Sequence, residues 1–118
     1  MPKPEFEFFE ASSLPRRSVG GVRGLSESIL SEDPETGDYT RTLHFEPGTD
    51  TSSMGVQRHD FWEEVWIVSG TLHDIPLEKT FTAGMYACRP PGMPHGPWRS
   101  IDGCQTFEIR YFRKDPKT

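Results

Sequence analysis

Three residues able to bind a metal through nitrogen or oxygen recur at short, even spacing in this chain: Gln57, His59 and Glu63. Successive side chains of an extended segment alternate between faces, so residues two and four apart share a face. An amide oxygen, an imidazole and a carboxylate are thus offered together at the entrance of a strand. A second imidazole, His95, follows a strand-like run over Met85 to Cys88 and a Pro90-Pro91-Gly92 turn. A tight turn holds an imidazole rigidly, and pre-positioned ligands bind metals best. Glu63 lies in an otherwise apolar run, where a lone carboxylate is costly unless it is paired or ligated. Glu64 beside it is expected to face the other way, as a surface charge.

The elements that must position these residues read as strands. Tyr39 to Phe45 alternates, with Tyr39, Arg41, Leu43 and Phe45 on one face and Thr40, Thr42 and His44 on the other. Pro47-Gly48 ends that run. Trp62 to Val68 is β-branched and aromatic, closed by Ser69-Gly70, and Leu72 to Ile75, Lys79 to Thr82 and Met85 to Cys88 follow. The last strand, Gln105 to Phe112, alternates Phe107, Ile109 and Tyr111 against Glu108 and Arg110. The one helical hint is a single turn over Leu25 to Leu30. Eleven Gly and eleven Pro are spread throughout as punctuation. The pattern predicts one small, all-β, antiparallel barrel or sandwich spanning residues 1–118, with residues 1–20 as an arm and 39–112 as the core. The arm carries Phe6, Phe8 and Phe9, and the tail Lys114 to Thr118 is expected to fray.

Composition narrows the partners. The net charge is −5, and no stretch concentrates Lys and Arg. Phosphate binding needs a basic stripe, so nucleic acid is excluded, and a membrane surface for the same reason. Mean hydropathy is −0.64, and no apolar run approaches the ~20 residues of a membrane span. The opening Met1-Pro2-Lys3-Pro4-Glu5 lacks the apolar stretch of a signal peptide, so a soluble cytoplasmic protein is expected. Cys88 and Cys104 are expected as reduced, buried thiols, a disulfide requiring Cα atoms within ~7 Å.

Two motifs together resemble the cupin superfamily. Gly84-x5-Pro90-x-Gly92-x2-His95 matches its second motif, and His59-x3-Glu63-x6-Gly70 matches the end of its first. Pro47-Gly48 is similar to the usual opening of the first, and the resemblance covers Tyr39 to Phe112. The run from Gly96-Pro97-Trp98 to Gly103-Cys104 also resembles the small cupin of ChrR-type anti-sigma factors. This implies a cupin jelly-roll, or double-stranded β-helix, with one divalent transition metal per chain at its mouth. It implies His59, Glu63 and His95 as ligands. Gln57 stands where a leading histidine is usual, which leaves a His₂-Glu-Gln set or a two-His-one-carboxylate set with open positions. Such sets suit Fe, and also Mn, Ni or Zn.

The fold alone does not choose a reaction. The resemblance favours a metal-dependent dioxygenase, isomerase or lyase acting on a small oxygen-rich molecule, with a metal- or ligand-binding sensor of the anti-sigma type as the alternative. For an enzyme, Glu63 or Tyr111 would move a proton. Arg41, if it points into the barrel, would receive an anionic substrate, as a guanidinium pairs bidentately with a carboxylate; an outward or salt-bridged arginine is the competing reading. Trp62, Trp66 and Trp98 are candidates to line a pocket, Trp98 as a substrate contact, with core or subunit interface the favoured competing reading for all three. Core packing competes with a site role for Tyr111, and His44 and His73 read as surface residues. A homodimer is expected by analogy with the family.

Overall fold

Every strand pairing in the computed structural model, which describes residues 2–113, is antiparallel. The tail expected to fray lies outside the described residues. In chain order the strands are β1 (Arg17–Ser18), β2 (Leu25–Glu32), β3 (Tyr39–Phe45), β4 (Thr49–Asp50), β5 (Trp62–Asp74), β6 (Lys79–Thr82), β7 (Tyr86–Arg89), β8 (Trp98–Ser100) and β9 (Cys104–Tyr111). They form one curled sheet in the order β1-β2-β3-β9-β5-β8-β4, with β6 and β7 also paired to β5.

β5 is the spine of this arrangement. The sequence suggested two strands broken at Ser69-Gly70; instead one strand continues through a bulge between Ile67 and Ser69. The bulge shifts the alternation by one residue. Glu63, Val65 and Ile67 point inward before it, and Leu72 and Asp74 after it. Gly70 makes this possible: its φ is 81°, and a Cβ there would overlap the Gly103 carbonyl oxygen.

The apolar core sits at one end of the barrel, built from Val22, Leu25, Leu43, Phe45, Ile67, Leu72 and Cys104. Leu25 to Leu30 is not a helical turn but part of β2, held by pairing along the whole of β3. The folded sheet therefore starts well before residue 39. Strand β3 follows its expected alternation, with Arg41, Leu43 and Phe45 buried.

Strand β9 alternates as well, with its charged set inward. Its inward row is Cys104, Thr106, Glu108 and Arg110, while Phe107 and Ile109 face out and are exposed. They join Trp66, 49% exposed, and Tyr86 on the outer sheet face. Both thiols are free, Cys104 being buried and Cys88, contrary to expectation, exposed. Phe6, Phe8 and Phe9 of the arm are exposed, Phe8 completely.

Candidate metal centre

Two irregular segments bring the imidazoles together, each pinned to the other by backbone hydrogen bonds. Gln57 and His95 exchange both of theirs, N to O at 2.8 and 3.0 Å, and Gly92 N donates to the His59 carbonyl at 2.8 Å. The turn behind His95 follows from its sequence. Met93 N returns to Pro90 O at 3.2 Å, with Pro91 and Gly92 at the central positions and Gly92 at φ 83°. That is the residue order a type II turn requires. His95 thus lies in an isolated bridge, outside the next strand.

The ligand atoms of His59, Glu63 and His95 lie within 4.8 Å of one another, so the three could hold a metal ion. All three line a cavity of about 270 Å³ with Gln57, Arg41 and Trp98. His95 Nδ1 lies 3.3 Å from the Met93 carbonyl, an acceptor only, so the nitrogen carries the proton. This leaves the Nε2 lone pair free, 3.7 Å from Glu63 Oε1. The Gln57 side-chain nitrogen donates to Met54 O at 2.9 Å, which leaves the amide oxygen as its free end.

Glu63 is 2% exposed and held by two arginines. Arg89 Nη1 stands 2.8 Å from Oε1, while Nε and Nη2 of Arg110 both stand 2.6 Å from Oε2. The register makes these contacts: Glu63 is directly opposite Arg89 on one side and Arg110 on the other. Arg41 is likewise opposite Glu108. A continuous charged row results, Glu27–Arg41–Glu108 on one side and Arg110–Glu63–Arg89 on the other, joined by Arg110 Nη2 at 3.9 Å from Glu108 Oε1. Arg41 is therefore both inward and salt-bridged: it lines the cavity at 5% exposure.

The row sets protonation. Burial pushes the Glu63 carboxyl up, but the Arg110 and Arg89 guanidiniums pull it harder the other way, to about 2. Burial lowers the pKa of His59, with Arg110 adding to the effect. Burial, then Arg89, lowers that of His95. Neutral imidazoles and an ionised carboxylate are the protonation states metal binding demands. A carboxylate has about four lone-pair positions, and three arginine N–H groups face those of Glu63. Oε1, with one such neighbour against two at Oε2, is also the oxygen nearest His95. The donor set therefore fits an ion bound through a single glutamate oxygen.

Trp98 lines the cavity. Tyr111 does not reach it. As an odd-numbered residue of β9 it lies on the outer face, where its hydroxyl donates to Glu64 Oε2 at 2.7 Å; Tyr86 donates to Oε1 at 2.6 Å. Glu64 thus faces away from Glu63, as expected. His44 and His73 each bond a neighbouring threonine, Thr42 and Thr80, at 3.0 Å. The residues missed in the sequence are Arg89, Arg110 and Glu108. Their signal was present in Glu108-x-Arg110, two opposite charges on one face of a strand, but it was outweighed by the aromatic residues between and beside them.

A family model, the ChrR Cupin-like domain, matches residues 8–110. No curated protein matches the sequence. Among solved structures, an RmlC-like cupin from Shewanella frigidimarina NCIMB 400 superposes with a TM-score of 0.73 at 20% identity, over 100% of both chains. An acetylacetone dioxygenase from Acinetobacter johnsonii gives 0.71 at 17% identity, over 98% of this chain and 83% of its own. The anti-sigma ChrR of Rhodobacter sphaeroides, in complex with SigE, gives 0.63 at 17% identity, over 85% of this chain and 50% of its own. At these identities the structures establish the shared jelly-roll and nothing of its chemistry.

Proposed function

This chain belongs to the ChrR Cupin-like domain family, and on that premise we propose that it is a metal-dependent cupin enzyme acting on a small, oxygen-rich anionic molecule. Its reaction is of the dioxygenase, isomerase or lyase type. The observation that carries this reading is the convergence of two neutral imidazoles and one ionised carboxylate on a cavity lined by three arginines. One divalent transition ion, Fe, Mn, Ni or Zn, is held by His59, His95 and Glu63, with the Gln57 amide oxygen as the fourth donor. When bound, the ion supplies Lewis-acid chemistry and, if iron, affinity for dioxygen.

The chain's own residues do the rest. Arg89 and Arg110 keep Glu63 ionised and fix its orientation, as the outer partners of metal ligands commonly do. Arg41, locked between Glu27 and Glu108, is not free to swing onto a substrate and holds the floor of the cavity in place. Trp98 forms a wall. Glu63, held near 2, is a ligand rather than a base, and Tyr111 faces the wrong side of the sheet, so neither moves the proton. The chain works in the cytoplasm as a homodimer, the exposed phenylalanines of its arm and the outer apolar face of β5 and β9 providing the contact.

The test is the metal content of untagged protein purified without chelator, by elemental mass spectrometry, beside a His59→Ala/His95→Ala control. About one ion per chain, lost in the control, is expected. No metal after reconstitution overturns the proposal. The family match and the likeness to ChrR favour a second reading, a non-catalytic sensor that binds a metal or ligand and signals through another protein. A sensor predicts ligand- or oxidation-dependent association and no turnover; an enzyme predicts turnover that His59→Ala abolishes.

A further inference from the structure

A second cavity, of about 200 Å³, lies against the first. Its lining is apolar, with Ile67, Leu77, Phe81, Met85, Ala87 and Met93 along its walls. The two cavities share Val65, Leu72, Arg89, His95 and Trp98. The partition between them includes a stack, with the Arg89 guanidinium carbon 5.1 Å from the centre of the Trp98 ring. The one carboxylate in the second lining, Asp74, is buried and accepts from Leu77 N at 3.0 Å, so it stabilises the β5–β6 turn.

Small-molecule sites run from ~300 Å³ upward and combine a mostly apolar lining with a few convergent polar groups. Neither cavity reaches that size alone, and together they do. The first is lined by three guanidiniums whose row holds three carboxylates, Glu27, Glu63 and Glu108, so the side chains balance and the ion of the functional reading above supplies the positive charge. The second offers no charge beyond the shared groups and Asp74. One end selects an anion and the other selects hydrocarbon.

We propose that the substrate is a medium-chain acid whose carboxylate sits at the His59–Glu63–His95 end and whose unbranched tail passes Trp98 into the second cavity. The carboxylate end rests on the functional reading above; the tail end rests only on the second cavity. At about 30 Å³ per water-sized group, the second cavity holds a tail of roughly six carbons.

The test is isothermal titration of the purified protein, as isolated, with acetate, butyrate, hexanoate, octanoate and decanoate, with metal content measured on the same samples. Affinity is expected to rise roughly fourfold per added methylene, the value for burying a CH₂, and to level off near octanoate. Ala87→Phe, which fills the second cavity from β7, is expected to cut octanoate affinity to the level of butyrate. Metal content and acetate binding stay unchanged. An affinity independent of chain length overturns the proposal, and that result needs no variant to fold. So does a chain-length dependence that survives Ala87→Phe but vanishes in Trp66→Ser, because the tail then sits on the outer face. Metal-free protein that keeps the chain-length dependence overturns the metal reading and supports the cavity; metal-loaded protein without it does the reverse.

Discussion

The two faces of β5 and β9 invert the usual distribution of polarity. Inside, at the site end, these strands carry Glu63, Glu108 and Arg110; outside, they carry Trp66, Phe107 and Ile109. Antiparallel sheets ordinarily bury the apolar face and leave the polar one wet. Here the inner face is polar where the candidate metal ligands gather, and Glu63, Glu108 and Arg110 each have an opposite charge directly across on the next strand. The apolar residues displaced outward form a surface that suits a second copy of the chain. A strand with charge on one face and aromatics on the other is thus ambiguous until something fixes which face is closed.

Four experiments would break or sharpen this contrast. The largest effect is expected inside. Arg110→Leu leaves Glu63 with a single arginine in a buried place and is expected to cost about 3–5 kcal/mol, the range for breaking a buried ion pair, measured by urea denaturation of the metal-free protein. A loss no greater than that of a surface substitution would mean that the inner row is not structural. Next comes acid. The Glu63 carboxyl stands near 2 in the folded chain against an ordinary 4.5. Its folded pKa is the lower one, so its stabilisation is complete above 4.5 and is lost as pH falls from there towards 2. At ~1.4 kcal/mol per unit, roughly 3 kcal/mol should disappear over that window in the metal-free protein. Glu63→Gln should flatten the profile.

The outer face should behave in the opposite way. Trp66→Ser combined with Phe107→Ser is expected to leave the monomer's stability within about 1 kcal/mol, yet to shift sedimentation from dimer to monomer. An unchanged sedimentation coefficient would remove the outer face from the assembly. The smallest effect is expected at Glu64→Gln, where two tyrosine hydroxyls lose a charged acceptor on an exposed surface. Its cost should stay below about 1 kcal/mol, a direct contrast with the carboxylate next to it in sequence.

Much of the fold was legible. β3 and β6 fall on their expected bounds, and β7 and β9 within one residue of theirs, because alternation and turn residues mark both ends of each run. The grouping of His95 with His59 and Glu63 was legible from the motif resemblance and not from spacing, because the two segments meet through backbone bonds between residues more than thirty positions apart. What escaped reading depends on neighbours remote in sequence. The helical hint at Leu25 to Leu30 is overridden by pairing with all of β3. The bulge in β5 exists because Gly70 can approach Gly103, 33 positions later. The inward facing of Arg110 is decided by Glu63, 47 residues away. Arg89 was passed over because its only signal is the strand opposite, which alternation within its own run cannot reveal.

The unequal fates of the two thiols give the molecule a built-in reporter. Cys104 is buried, and burial, with Glu108 nearby, pushes its thiol up to about 11, so alkylating reagents should pass it by. Cys88 is exposed on the outer face of β7, two residues from Tyr86. A maleimide dye or nitroxide should therefore attach at that one position in the natural sequence, with no engineered cysteine. Its rate of attachment, followed as the protein is diluted, becomes a footprint of whatever covers the sheet.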